Sequence, residues 1–166
     1  MVLTIRPANQ DDYEHVVANL DAWWNGRRMA AMLPRLFFAH FRLWTYVAEE
    51  DGPVIGFLSA FQSQTDPGQV YCHFIGVDPA HRGHGIGEAL YLRLFADAAE
   101  RGCREILAVT SPANRVSLQF HARMGFDVLP GVNEANGIQF TPSYDGPGED
   151  RVQLRKTLVS ISKPGA

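Results

Sequence analysis

Apolar and polar positions in the first quarter of the chain change from a period of two residues to a period near 3.6. Residues 2–6 alternate as an edge strand does, and Pro7 ends the stretch. Asn9 is the predicted N-cap of a helix, because the acidic residues after it suit the positive end of a helix dipole. Residues 29–41 again show helical spacing, broken by Pro34, and predict one or two short helices. The expected buried face of the first helix consists of Tyr13, Val16, Val17 and Leu20.

The middle of the chain alternates predicted strands with predicted helices. Residues 44–49 and 54–62 are β-branched or aromatic runs separated by a turn at residues 50–53, which indicates a hairpin. Residues 69–77 predict a further strand, and residues 83–101 have the apolar spacing of a helix. The remaining predicted elements are a strand at 104–110, a helix at 114–124, a strand at 126–129, a Gly/Pro-rich loop at 141–150 and a final strand at 151–158.

This order of elements predicts one α/β domain over residues 1–166. Only the two strand-to-helix connections in the middle of the chain require parallel pairing, so we expect a mixed sheet with helices on both faces. A chain of 166 residues can bury about two-thirds of the surface that its unfolded form exposes. Neither an internal repeat nor a linker long enough to separate two domains is present in the sequence.

Composition and charge favour a small partner. The formal net charge is −3, so no basic field exists to attract nucleic acid or an anionic membrane. The N-terminal residues lack the layout of a signal peptide, and no apolar run approaches the ~20 residues of a membrane span, which predicts a cytoplasmic protein. Cys72 and Cys103 are expected to be buried and reduced. The spacing of four histidines does not suggest a metal site, so none is predicted: His15, His40, His81 and His84.

Residues 77–90 join an apolar strand to a helix through a loop nearly without side chains. Glycines at positions 83, 85 and 87 allow a ligand to approach the backbone, and the first amides of the helix point at an anion. A dinucleotide fold would need Gly-x-Gly-x-x-Gly, but Glu88 lies three residues after Gly85, and the Gly-Lys-Ser/Thr of a P-loop is absent. The loop therefore indicates a phosphate site of another class; an ordinary tight turn is the plain alternative.

Two motifs together carry a family resemblance. The segment Arg82-x-x-Gly85-x-Gly87, preceded by Val77-x-Pro79, resembles motif A of the GNAT N-acetyltransferase superfamily. Residues 114–126 resemble a second segment of that family, Asn-x-x-(small)-x-x-Phe-Tyr-x-x-x-Gly-Phe. The two motifs cover the cofactor half of the fold, about residues 69–130.

The resemblance implies an α/β fold, classed as α+β in some schemes. Its sheet would be mixed, mostly antiparallel and six- to seven-stranded, splayed at a central parallel pair where the preceding strand carries a bulge. The implied activity is transfer of an acetyl group from acetyl-CoA to a primary amine, by direct attack through a tetrahedral intermediate and without a metal. The implied cofactor residues are Ile75, Gly76 and Val77 for the pantetheine arm, Gly83, His84, Gly85, Ile86, Gly87 and Glu88 for the pyrophosphate, and Arg82, Asn114 and Ser117 beside them.

His121 departs from the family pattern. It lies where most relatives carry the tyrosine that protonates the departing coenzyme A thiolate. Histidine, with an ordinary pKa of ~6.5, is partly protonated near neutrality and can in principle replace that acid. The alternative is a helix histidine that only packs beside the cofactor.

A general base is expected, because an alkylamine with a pKa of ~10.4 is almost fully protonated at pH 7. The two-residue period of the strand 69–77 predicts Tyr71, His73, Ile75 and Val77 on one face and Cys72 on the other. A family branch that acetylates arylalkylamines has histidines at the positions of Tyr71 and His73. We therefore interpret His73 as the base, or as the anchor of a water chain, and a satisfied core histidine is the alternative.

The family's acceptor pocket is formed by the early helices, the loop after residues 54–62 and the late loop. Asp145 or Glu149 could bind an ammonium group there, although the sequence around them equally suits a plain turn. The expected partner is a small-molecule amine or a peptide amine, and the oligomeric state stays open, a homodimer included. A non-catalytic acyl-CoA sensor of the same fold is the alternative function. The predicted acceptor side chains are chiefly Trp24, Phe61 and Tyr144, with Trp23, Arg27 and Gln64 near them.

Overall fold

The computed structural model describes residues 2–159, and its contacts divide the chain into two compact units. The first unit comprises Met1–Gln62 and Cys72–Asp97, and the second comprises Ser63–Tyr71 and Ala98–Ala166. Strand β4 (Gln69–Val77) and helix α3 (Ile86–Glu100) each contribute residues to both units. Whether residues 1–166 act as one domain stays a prediction.

The first unit is built on strands β1 (Leu3–Pro7), β2 (Thr45–Glu50), β3 (Val54–Gln62) and most of β4 (Gln69–Val77). These strands lie side by side in that order, and β1 and β3 each pair with β2 in antiparallel fashion. The β2–β3 hairpin turns at Asp51 and Gly52, whose φ angles of 51° and 119° are positive. The predicted hairpin is therefore correct.

Helix α1 (Gln10–Trp23) begins where the sequence predicts. Asn9 is its N-cap, and the Asn9 and Asp12 side chains form a reciprocal capping box with each other's backbone amides. Arg6 donates to both oxygens of the buried Asp12 carboxylate at 2.8 Å, which ties β1 to the start of α1. After α1 follow a 3-10 turn at Ala30–Met32 and the single-turn helix α2 (Leu36–Ala39), as the break at Pro34 predicts.

Helix α3 (Ile86–Glu100) begins three residues later than the predicted start at residue 83. Gly83 and Gly85 have φ angles of 80° and 78°, and this left-handed conformation cannot continue a right-handed helix. A 3-10 turn at Pro79–His81 precedes the loop. The loop is thus longer than the predicted helix start at residue 83 implies.

Helices pack on both faces of the strands in the first unit, as predicted. Val47 of β2 and Phe57 of β3 belong to the buried cluster that contains residues of α1 and α2. On the other face, the Tyr46 hydroxyl lies 2.8 Å from the Asp97 carboxylate of α3. Side-chain alternation along β2 therefore directs neighbouring residues to different helices.

The second unit contains β5 (Glu105–Thr110), helix α4 (Arg115–Arg123), β6 (Asp127–Val128) and β9 (Val152–Thr157). The first three residues of β4 pair in parallel with β5, and β9 pairs antiparallel with β5 and β6. The hydrogen-bonded order β1-β2-β3-β4-β5-β9-β6 confirms the predicted mixed, mostly antiparallel sheet with one parallel pair.

The structure adds a hairpin that the sequence interpretation lacks. Strands β7 (Asn133–Ala135) and β8 (Ile138–Phe140) form a separate two-stranded sheet. Asn136 and Gly137 connect them with φ angles of 51° and 78°, both positive as a type I′ turn requires. Asn-Gly is a strong hairpin signal, so this element was available from the sequence.

The two cysteines are buried and are not joined in a disulfide, as predicted. Burial raises the pKa of the Cys72 thiol to about 12, and the thiol lies beside the Tyr91 hydroxyl of α3. Within residues 2–159, none of the helices combines the length and the apolar character needed to cross a membrane.

Candidate active site

The glycine loop between β4 and α3 has the shape of an anion cradle. At Gly83 and Gly85, a Cβ atom would point into open space with no atom within 4 Å, and both residues have positive φ. Below the loop, the Asp78 side chain accepts a hydrogen bond from the Ala80 amide at 2.9 Å and holds the 3-10 turn. The loop ends at the N-terminus of α3, whose first amides have no acceptor within the helix. This open, donor-rich loop fits the pyrophosphate that the sequence motif implies.

Other predicted phosphate residues lie on or next to this loop. Ile86 is buried, whereas Gly87 is half-buried and His84 and Glu88 are exposed. One ring nitrogen of His84 lies 3.2 Å from the His81 carbonyl oxygen. His84 and Glu88 are therefore accessible to a ligand, whereas Ile86 packs into the core.

Arg82 directs its side chain at main-chain oxygens of the first unit. Its Nε donates to the Val77 carbonyl at 3.0 Å, and its Nη2 donates to the Trp23 carbonyl at 2.7 Å. The guanidinium carbon lies 5.7 Å from the centre of the Trp24 ring. The contact of Arg82 with the cofactor stays a prediction. In the structure, its guanidinium is hydrogen-bonded to residues at the ends of β4 and α1.

Gly76 lies beneath two aromatic rings. A Cβ atom at this position would lie 2.7 Å from Trp24 Cη2 and 2.7 Å from Phe57 Cε1. Real Cβ atoms do not approach other atoms so closely, so only glycine fits here without movement of its neighbours. Trp24, predicted to contact the acceptor, is therefore packed directly over the backbone to which the resemblance assigns the pantetheine arm.

The alternation of side chains along β4 changes phase between His73 and Phe74. Before this point, Cys72 faces Tyr91 of α3, and the His73 ring stacks on Phe37 of α2. After it, Phe74 packs on Trp24 with ring centres 5.3 Å apart, on the same side as His73. The expectation that Val77 shares the face of His73 is wrong, because Val77 lies near Ile86 of α3, with both side chains next to Gly56. An irregularity of this kind, a β-bulge, turns two successive side chains to one face.

His73 is held on two sides. Its Nε2 lies 2.6 Å from the Met32 carbonyl oxygen, and its ring lies 4.5 Å from the Phe37 ring with 11° between the planes. Because a carbonyl oxygen only accepts, Nε2 carries the hydrogen, and in the neutral ring Nδ1 carries the lone pair. The ring is half-buried. This arrangement leaves one basic nitrogen in a fixed orientation.

The aromatic side chains around His73 form an apolar wall in the first unit. Phe61, predicted to contact the acceptor, packs between Phe37 and Phe41 with ring centres 6.5 and 5.7 Å away. Met32 and Leu36 are 45% and 42% exposed beside this group. The term apolar wall refers below to seven residues: Trp24, Met29, Met32, Phe37, Phe41, Phe61 and Phe74.

In the second unit, the predicted residues Asn114, Ser117 and His121 lie on α4. Asn114, where the helix was predicted to begin, is the N-cap of α4, and its side chain accepts from the Ser117 amide at 3.1 Å. His121 is buried, and its Nδ1 lies 2.8 Å from the Ser117 carbonyl oxygen and 3.2 Å from the Ser117 hydroxyl. Burial lowers the pKa of His121, although the hydrogen bond to Ser117 opposes this shift. Neutral His121 therefore carries its hydrogen on Nδ1.

Tyr71 and Tyr144, both predicted site residues, line one small pocket in the second unit. The rest of its lining consists of Leu107, Ala108, Val109, Leu129, Gln153 and Leu154. Tyr144 is 44% exposed. The structure thus brings the start of β4 and the late loop of the chain together at this pocket.

The late loop is fixed by an arginine. Arg151 donates to the carboxylates of Asp145 at 2.6 Å and of Glu149 at 2.9 Å. The Ser143 amide also donates to the Asp150 side chain at 2.8 Å. Both carboxylates considered as ammonium ligands are therefore already paired with a cation, which favours the plain-turn interpretation.

The sequence interpretation missed the partners that orient the site. In the sequence, Phe37 is only one apolar position within the helical spacing of residues 29–41, and the Met32 carbonyl has no sequence signal at all. Arg82 was identified, but its hydrogen bonds to Val77 and Trp23 join segments far apart in the chain. In the part of the chain that the structure describes, no group of three or more His, Cys, Asp or Glu side chains could hold a metal ion.

Comparisons with known proteins agree with this geometry. The model of the acetyltransferase (GNAT) family matches residues 6–126. The L-methionine sulfoximine/L-methionine sulfone acetyltransferase of Salmonella typhimurium is 30% identical over 150 residues, which make up 83% of this chain and 87% of that protein. The L-amino acid N-acyltransferase of Escherichia coli is 31% identical over 121 residues, 70% of each chain.

A solved structure supports the fold. The diaminobutyrate acetyltransferase of Paenibacillus lautus, in complex with L-2,4-diaminobutyric acid and coenzyme A, has a TM-score of 0.69 to this chain at 21% identity. The match covers 99% of both chains. At this level of identity the likeness concerns the fold alone.

Proposed function

Because the chain belongs to the acetyltransferase (GNAT) family and is an N-acetyltransferase that uses acetyl-CoA, we propose that it acetylates the primary amine of a small amino-acid-like molecule with an apolar side chain. Two relatives are named for L-amino acids or for methionine derivatives. The apolar wall suits such a side chain, since it consists of aromatic rings and methionines. A peptide N-terminus is the other acceptor class, and the test below includes it.

Acetyl-CoA supplies the activated acetyl group, and the residues of the first unit would hold it. The loop at Gly83 and Gly85 offers backbone donors to the pyrophosphate, at the positive end of α3. The backbone of residues 75–77 would pair with the pantetheine arm. On α4, Asn114 and Ser117 are proposed as further contacts with the cosubstrate.

His73 is proposed as the general base, and its geometry is the single observation that carries the mechanism. An ammonium group with a pKa of ~10.4 must lose a proton before its nitrogen can attack. The Met32 carbonyl fixes the hydrogen of His73 on Nε2, so Nδ1 can accept that proton directly or through a water molecule. Tyr71, two residues earlier on β4, is proposed to contribute to the acceptor side through the pocket that it shares with Tyr144.

The acid role proposed for His121 requires the doubly protonated ring. Neutral His121 has its one hydrogen on Nδ1, within 2.8 Å of the Ser117 carbonyl oxygen. Because burial lowers the pKa of His121, the imidazolium form is a minority at pH 7. The geometry therefore favours the packing role over the acid role.

We also propose that residues 1–166 act as one domain in the cytoplasm. The family model spans parts of both compact units, from residue 6 to residue 126. Cys72 and Cys103 are not joined in a disulfide, which suits a reducing compartment. Partial proteolysis tests the single domain, since two independent domains would separate into stable fragments.

The acceptor is tested by measuring thiol release from acetyl-CoA with a panel of amines. The panel contains L-methionine sulfoximine, L-leucine, L-phenylalanine, L-glutamate, phenethylamine and a short peptide with a free N-terminus. We expect the highest kcat/KM with L-leucine or L-phenylalanine, and a much lower value with L-glutamate. Preference for the peptide or for L-glutamate would contradict the proposed acceptor. Background rates with every amine, together with normal acetyl-CoA binding, would instead favour the sensor alternative.

A further inference from the structure

The C-terminal end of α1 lacks a cation of its own. The last turn of α1 contains no basic residue, although a helix C-terminus favours positive charge. The carbonyls of Asp21, Ala22 and Trp24 accept hydrogen bonds from the amides of residues 24–27. The Trp23 carbonyl instead accepts from the guanidinium of Arg82, 59 positions further along the chain.

Arg82 completes this helix end while it also holds the end of β4. Its Nε bonds to the Val77 carbonyl at 3.0 Å and its Nη2 bonds to the Trp23 carbonyl at 2.7 Å. The planar guanidinium of arginine can donate in two directions at once and can also lie over an aromatic ring. The Trp24 ring, 5.7 Å from the guanidinium carbon, receives this third contact.

Trp24 is thereby in contact with several other segments. The Arg82 guanidinium carbon and the centre of the Phe74 ring lie 5.7 and 5.3 Å from the centre of its ring, and a Cβ atom at Gly76 would lie 2.7 Å from Trp24 Cη2. The segment after Trp24 is held in turn by Asp21, whose carboxylate accepts from the Met29 and Ala30 amides at 2.7 and 2.8 Å. The conformation of this part of the apolar wall thus depends on an arginine that belongs to the cofactor motif.

We propose that Arg82 is a positioning residue for the amine acceptor rather than a ligand of the pyrophosphate. It fixes the end of α1 and places Trp24 over Gly76, so that one wall of the acceptor site is formed by the motif that also binds acetyl-CoA. This inference rests on the proposed function, because it assigns the apolar wall to the acceptor. The resemblance assigns Arg82 to the cofactor side, and the two roles predict different kinetics.

The test compares Arg82→Ala and Arg82→Lys with Arg28→Ala. Arg28 is an exposed arginine shortly after α1, so its loss removes the same charge without the contacts of Arg82. We expect both Arg82 variants to raise the KM of the best amine about tenfold or more, while kcat and the Kd of acetyl-CoA, measured by calorimetry, change less than about threefold. Arg82→Lys should raise this KM almost as much as Arg82→Ala, because an ammonium group cannot reproduce the planar, two-directional donation. Arg28→Ala should behave as the unaltered protein.

A double-mutant cycle separates positioning from general destabilisation. If Arg82 acts through Trp24, its replacement should have little further effect on the amine KM in a Trp24→Leu background. A weaker fold would lower the activity of the double variant further. A tenfold rise in the Kd of acetyl-CoA with an unchanged amine KM would overturn the proposal, since Arg82 would then be a phosphate ligand.

Tryptophan fluorescence provides a readout that needs no acceptor. Trp23 and Trp44 are buried, 5% and 6% exposed, whereas Trp24 is half-buried and next to the guanidinium. The emission of the Arg82 variants should therefore shift in the presence of Trp24 and stay constant in the Trp24→Leu background. An unchanged emission in Arg82→Ala would contradict the inference. Absence of turnover with every amine in the panel would by itself contradict only the proposed function.

Discussion

The ring of His73 lies flat on the ring of Phe37, with 4.5 Å between the ring centres and 11° between the planes. The same histidine donates from Nε2 to the Met32 carbonyl. Stacking and hydrogen bonding together fix both the orientation and the tautomer of the ring. A histidine prepared in this way can accept a proton at Nδ1 without first reorganising.

Replacement of His73 by alanine should lower kcat/KM at pH 7 by about 10²-fold, the usual scale of general base catalysis. The difference in kcat/KM between the variant and the unaltered protein should become smaller as the pH approaches the pKa of the amine, because the acceptor then loses its proton without a base. The pH profile of thiol release checks this prediction. His40→Ala is the control, since His40 is exposed and lies outside the proposed mechanism. An equal loss at every pH would point to a structural role for His73.

Stability should fall below neutral pH partly because of His121. Burial lowers its pKa in the folded protein, whereas the unfolded chain keeps a value of ~6.5. Between these two values the unfolded state binds the extra proton, so the contribution of His121 is complete above pH 6.5 and is lost as the pH falls through the folded-state pKa. The melting temperature of His121→Phe should therefore decrease less than that of the unaltered protein between pH 7.5 and pH 5.5. Parallel curves would contradict the lowered pKa.

The same His121→Phe variant tests the acid role. If the neutral ring only packs against its aromatic neighbours, the best amine should be acetylated at nearly the unaltered rate at pH 7. Phe126 and Phe120 lie with ring centres 5.1 and 5.5 Å from the imidazole, so an apolar ring suits this site. A loss of about 10²-fold or more in kcat would instead support the acid role.

Gly85→Ala should weaken acetyl-CoA binding more than it weakens the fold. Gly85 and Gly26 have nearly the same φ, 78° and 79°, and a Cβ atom would meet nothing within 4 Å at either position. The backbone strain of an alanine, roughly 1–2 kcal/mol, should therefore be similar in both variants. Only at Gly85 would the added methyl group occupy the proposed phosphate cradle. Calorimetry with acetyl-CoA should show a Kd at least about tenfold higher for Gly85→Ala than for Gly26→Ala, and equal values would contradict the cradle.

Gly76→Ala should impair both folding and catalysis. The new methyl group would lie 2.7 Å from atoms of Trp24 and Phe57, and overpacking of this kind typically costs about 1–3 kcal/mol. For a protein of this size, each kcal/mol lowers the melting temperature by about 2–4 °C. Trp24→Leu should restore part of the lost stability by removing one of the two contacts. No recovery in the double variant would mean that Trp24 does not limit the space above Gly76.

Regular elements and their boundaries were largely predictable because their signals are local. The N-cap at Asn9 and the helix that begins after Asn114 lie where the sequence indicates. The start of α3 was predicted at residue 83, three residues before its first apolar residue, Ile86, whereas the left-handed backbone at Gly83 and Gly85 delays the helix to Ile86. The Asn136–Gly137 hairpin shows the opposite error, since its turn signal was present and was not used.

The bulge in β4 limits what periodicity can predict. A strict two-residue period would place His73 and Phe74 on opposite faces of the strand, yet both side chains pack on the same aromatic group. The period assumes regular pleating, and one irregular residue reverses the orientation of everything that follows. Val77 was assigned to the wrong face for this reason.

The sequence by itself determined the strands, the helices, the glycine loop and the family, because each depends on residues within a few positions of one another. Tertiary structure alone decided which nitrogen of His73 is basic and where the Arg82 guanidinium donates. Both depend on carbonyl groups, those of Met32 and Trp23, that lie 41 and 59 positions away. A backbone carbonyl is chemically the same at every residue, so no sequence pattern can indicate which one a distant side chain will contact.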